Sequence, residues 1–145
     1  MAKTKVMVAL RDLESSESLV TLACQLAQGM EGELIALHVV EVPAATPIDA
    51  SEETLDRPGK DILAAAQQVA ERIHQKLAPC LVRARTAGEA VVGEAKDQGV
   101  DLLIVGHHKP HPRAERDFLL GSTTQYVAHH APCRVIVQIP APSRR

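Results

Sequence analysis

Five short apolar runs punctuate the chain, and a stretch with helical spacing separates most of them. They are Lys5 to Leu10 (KVMVAL), Glu33 to Val42 (ELIALHVVEV), Cys80 to Thr86 (CLVRART), Asp101 to Val105 (DLLIV) and Arg134 to Ile139 (RVIVQI). The first lacks strict alternation and the fourth is apolar throughout after Asp101, as in strands covered on both faces. The third alternates and reads as half-exposed. Strands alternating with helices demand a parallel sheet with helices on both faces and right-handed crossovers. The predicted fold class is therefore α/β: an open five-stranded parallel sheet, Rossmann-like, in one domain over residues 1–145. In the usual order for such sheets, 3-2-1-4-5, the first and fourth strands lie side by side. The loops after Leu10 and Val105 then meet over one crevice, where open α/β sheets take their ligands.

The helices are read from periodicity. Leu19, Leu22, Ala23, Leu26 and Ala27 follow a polar loop, RDLESSES, and stop at Gly29. Asp61 to Leu77 is amphipathic, with Ile62, Leu63, Ala66, Val69, Ala70, Ile73 and Leu77 on one face and Asp61 favouring its first turn. The three prolines between Pro43 and Gly59 mark a mobile excursion. A short helix follows Gly88 and ends at Gly99, and the last runs from Ser122 to His130.

Composition narrows the function. One Tyr, one Phe and no Trp leave the core to Val, Leu, Ile and Ala, and deny the chain a base-stacking platform. A net charge of −2 with no basic stripe argues against a nucleic-acid partner. Cys24, Cys80 and Cys133 are widely spaced and form no CxxC pair, so each is read as a small buried hydrophobe in a reducing compartment. MAKTKVMVAL has no apolar run of leader length and no stretch approaches a membrane span, so the expected location is cytoplasmic, without membrane insertion.

The chemistry-bearing segment runs from Gly106 to Val137. A strand ends at Gly106, and Gly121-Ser122-Thr123 opens a helix. Glycine there lets an anion approach the backbone, the hydroxyls can cap the helix or bond phosphate, and the helix start offers free N–H groups with the positive end of its dipole. His107, His108 and His111, with Lys109 and Arg113, form a cationic loop. No carboxylate or Cys stands beside them at zinc spacing, so a solvated or anion-contacting loop is preferred to a metal site. His129 and His130 suit a helix C-terminus, and His38, inside an apolar strand, reads as a satisfied core or strand-end histidine rather than a catalyst. No Walker loop, HExxH or nucleophile elbow is present.

These segments resemble the universal stress protein family over nearly the whole chain apart from roughly residues 43–60. The family's phosphate motif is a Gly, two residues, a second Gly, nine residues, then Gly-Ser or Gly-Thr. Here Gly106 is followed by two residues, Lys109, eleven residues and Gly121-Ser122. YVAHHAPCRVIV is similar to the family's closing helix and strand, KVMVALRDLESSES to its opening strand and loop, and LIALHVVEV to its second strand. Arg11 stands where nucleotide-binding members carry an Asp, with Asp12 one position later, and Lys109 replaces the middle Gly.

The resemblance implies a stress-response or regulatory protein that binds ATP or another adenine nucleotide. Gly106, Gly121, Ser122 and Thr123 would hold phosphate, helped by Lys109 and Arg113. Ala9, Leu10 and Val39 would wall an adenine pocket, with Arg11 beside them. The implied protein is not an enzyme, or at most a slow ATPase, and is a homodimer through Val135, Ile136 and Val137. The alternative is a dimeric interaction module without nucleotide, acting on a partner such as a transporter.

Overall fold

The computed structural model describes residues 3–49, 53–107 and 121–139. Strands and helices alternate: β1 (Lys5–Ala9), α1 (Leu13–Gly29), β2 (Glu33–Glu41), α2 (Glu53–Ile73), β3 (Leu77–Ala84), α3 (Ala87–Asp97), β4 (Leu102–Gly106), α4 (Ser122–His130) and β5 (Arg134–Gln138). All strand pairs are parallel, in the order β3-β2-β1-β4-β5. The predicted sheet, with β1 between β2 and β4 at its centre, is the one the chain forms.

The period of two sorts each central strand onto two faces. Val6, Val8, Leu34, Ala36, Leu102 and Ile104 face α1 and α2, where they meet Leu19, Ala23, Ile62, Ala66 and Val69. Met7, Ile35, Leu37, Leu103 and Val105 face the other way, toward Val91 and Ala95 of α3 and Val127 of α4. Only strands apolar on both faces can be sandwiched in this way, as KVMVA and LLIV are.

Several boundaries differ from the sequence reading. α1 begins at Leu13, inside the stretch read as loop, because Asp12 caps it: its carboxylate accepts from the Ser15 backbone N–H at 2.9 Å and from Ser15 Oγ at 2.8 Å. α2 begins at Glu53, so the second half of the supposed mobile excursion is helix and Pro58 lies inside it. Asp61 is therefore not at its start. The first turn of α2 is tied to the edge strand instead, where Arg83 Nε donates to Asp56 Oδ1 at 3.0 Å and Nη2 to Oδ2. These bonds hold the Asp56 carboxyl below its ordinary range, against the opposing effect of its burial. Leu77 opens β3 rather than closing α2, and Pro79 is accommodated because β3 is an edge. Cys24 is buried as expected, but Cys80 and Cys133 are only half-buried. Among the described residues no helix is long and apolar enough to cross a membrane.

Candidate functional site: a cleft at the carboxyl ends of β1 and β4

The chain leaves β1 at Ala9 and turns over the sheet. Leu10 N–H donates to the Leu37 carbonyl at 2.8 Å, extending the ladder by one residue. The Leu10 carbonyl is 2.8 Å from His38 Nδ1. A carbonyl only accepts, so Nδ1 carries the proton and the ring is satisfied, as its place in an apolar strand predicts. The exposed Arg11 follows, then Asp12 at the head of α1. Ser16, buried in the first turn, donates from Oγ to the Asp12 carbonyl at 2.6 Å. Asp12 thus faces the cleft while its carboxylate also serves the helix start.

The opposite wall is built from β4 and α4. Gly106 ends β4, and its carbonyl accepts from Thr124 Oγ1 at 3.1 Å, which seats the first turn of α4 on the strand end. The His107 backbone N–H donates to the Gln138 carbonyl at 2.8 Å, continuing the pairing with β5. Gly121 is the N-cap of α4, with no side-chain cap, and its carbonyl accepts from Gln125 N–H at 2.9 Å. The first-turn N–H groups of an α-helix have no intrahelical acceptor, so this end presents donors and a positive dipole end.

Between these walls lies a cleft of about 450 Å³, within the usual range for small-molecule sites. Ala9, Leu10, Arg11, Val39, Gly106, Ser122 and Thr123, drawn from four separate segments of sequence, all line it. Gly121 stands at the helix start beside it. Lys109 and Arg113 fall outside the described residues. The sequence reading missed His38, Glu41, Val91, Thr124 and the cap residue Asp12 as cleft-lining groups. His38 carried a signal, being a polar residue one place before Val39. Val91 and Thr124 carried none, because only tertiary packing brings them here. Of the two readings of the loop that begins at His107, solvated or anion-contacting, the first is corrected for this residue: it is only 7% exposed, and its Nδ1 has no hydrogen-bond partner among the described residues. Among those residues no group of three or more His, Cys, Asp or Glu is arranged to hold a metal ion.

A parallel α/β sheet with a polar-ended cleft at the point where strand order reverses defines a nucleotide-binding-type architecture. The Universal stress protein family model matches residues 3–138, and the chain belongs to that family. It is 31% identical over 137 residues to Universal stress protein A homolog 2 of Coxiella burnetii, covering 91% of this chain and 92% of that protein. A universal stress protein of Archaeoglobus fulgidus, solved in complex with dAMP, shares its fold at a TM-score of 0.75 and 15% identity, over 94% of this chain and 98% of that one. A universal stress protein solved in complex with cAMP gives a TM-score of 0.73 at 23% identity, over 95% and 98%.

Proposed function

We propose that this chain is a stress-response regulatory protein whose cleft binds an adenine nucleotide, and that it acts by binding rather than by catalysis. The observation that carries this reading is the juxtaposition of two unlike walls. One side, Ala9, Leu10 and Val39, is mainly aliphatic and suits a purine face. The other is the start of α4, whose Gly121-Ser122-Thr123 N–H groups and hydroxyls suit phosphate. Lys109 and Arg113 add positive charge to the phosphate side in this reading. The nucleotides named for the Archaeoglobus fulgidus protein and for the cAMP complex support the same ligand class here. The protein functions in the cytoplasm as a homodimer.

The test is direct. Protein purified without added nucleotide is heat-denatured and the supernatant analysed by ion-exchange chromatography, and nucleotide-stripped protein is titrated with ADP and ATP by calorimetry. The expected outcome is adenine nucleotide in the supernatant or binding tighter than about 1 mM, some −4 kcal/mol. Weaker binding throughout returns the protein to the second reading, a dimeric interaction module acting on a protein partner such as a transporter. That reading is favoured by one observation: Arg11 stands in the turn after β1, and the neighbouring Asp12 carboxylate is engaged by Ser15 at the cap of α1.

A further inference from the structure

His107 has a side chain that the fold buries without giving its Nδ1 a partner. It follows β4 in register, so the alternation that sends Leu103 and Val105 to the α3–α4 face sends His107 there too. It ends up nine-tenths buried in the wall of the cleft that Ser122, Thr123 and Thr124 also line. Buried polar atoms in folded proteins find a partner in protein, water or ligand, and an orphaned one calls for an explanation. Its neighbour in the same wall, Thr124, is satisfied by the Gly106 carbonyl. The backbone N–H of His107 is likewise used, on Gln138. Its ring Nδ1 is left over, in a cleft that the start of α4 also lines.

We infer that His107 is a ligand-contacting residue of this cleft, donating a hydrogen bond from its imidazole ring to the phosphate of the bound nucleotide. The inference rests on the nucleotide reading and adds to it a contact that the glycine motif does not contain.

The chemistry follows from the surroundings. The charged and titratable groups that line the cleft with it are Arg11 and Asp12 from the β1–α1 turn and His38 and Glu41 from β2. The parts of α3 and α4 that line it supply Ala87, Val91, Ser122, Thr123 and Thr124, none of which titrates near neutrality. β5 meets His107 through the Gln138 carbonyl. Among the described residues no carboxylate pairs with the His107 ring, so a phosphate entering the cleft would be the acceptor it lacks.

The experiment compares ADP binding by the wild type, His107→Ala and His107→Asn at one pH and fixed ionic strength. Alanine removes the ring's donors, and asparagine restores a donor at this position. The expected result is an affinity about tenfold lower for the alanine variant and partly recovered in the asparagine variant, the scale of one hydrogen bond to a charged group. Equal affinity of wild type and alanine variant overturns this inference and leaves the nucleotide reading standing. Absence of ADP binding by the wild type defeats both. Melting temperatures establish that the variants are folded. If they are not, the wild-type His107 ring resonances decide: their displacement on adding ADP supports the contact, and unmoved resonances overturn it.

Discussion

Gly59 is buried where α2 crosses the end of β2, and it is small because His38 lies against it. A Cβ built there would stand 2.6 Å from His38 Cδ2 and 2.8 Å from Leu81 Cδ1. Leucine can rotate its methyl away, but the His38 ring is pinned by its bond to the Leu10 carbonyl. Gly59→Ala should therefore cost about 1–3 kcal/mol in a urea melt, the usual penalty for overpacking a tight contact. It should also weaken ligand binding, since the ring can yield only by leaving Leu10 at the cleft floor. A variant of unchanged stability would show that the contact is slack. None of this was legible in the sequence, where Gly59 sits one residue after a proline and reads as part of a loop. Arg11, Gly106 and Ser122 were legible because they sit just after a strand, at a strand end and at a helix start, which sequence patterns mark. The burial of His107 was not, because the residues beside it, HHKPHPR, have the composition of a solvated segment.

At the scale of elements, α4 decides whether the cleft can hold an anion, and Gly121 tests it cleanly. Its φ is −61°, open to any residue, and a Cβ there would meet nothing within 4 Å. The glycine is thus not required by the fold of the described residues, and what it leaves room for is the approach of a ligand. Gly121→Val should change stability by less than about 1 kcal/mol, as expected at an N-cap without side-chain bonds. Nucleotide affinity should fall more than about tenfold, a loss exceeding 1.4 kcal/mol. Equal affinity would remove the start of α4 from the site. The sheet itself was readable because apolar strand runs are hard to mistake. The starts of α1 and α2 were not. LESSES is rich in residues that favour caps and turns, and only the choice of Asp12 as cap fixes where the helix begins. Pro58 falsely marked a break, since α2 continues through it while anchored by Asp56 to Arg83.

The whole molecule has two sheet edges, and they are finished differently. Unpaired N–H and C=O groups on an edge invite pairing and must be blunted, covered or used. The β3 edge carries Pro79 and Arg83, and Arg85 just beyond it clasps the turn after β2, with Nη1 reaching the Thr46 carbonyl at 2.6 Å, the Val42 carbonyl at 3.3 Å and that of Pro43. Proline and charge are the ordinary means of discouraging edge pairing. β5 has neither within its apolar run: Val135, Ile136 and Val137 are only half-buried, and Ile139 just beyond is 67% exposed. Val135 and Val137 pack against the α3–α4 cluster and Ile136 against the other, so both faces of this edge are apolar at the border of the core. A two-fold dimer in which β5 meets its own copy would cover that border with one self-complementary contact and leave only the blunted β3 edge open on each subunit. Val135→Lys together with Val137→Lys places two like charges on each strand, opposed across the axis by their copies. The double variant should run as a monomer by light scattering where the wild type runs as a dimer. Its far-ultraviolet circular dichroism should be unchanged, because the two positions border the core rather than fill it. A wild type that is monomeric at high concentration, or a double variant that stays dimeric, would show that the β5 edge is not the interface.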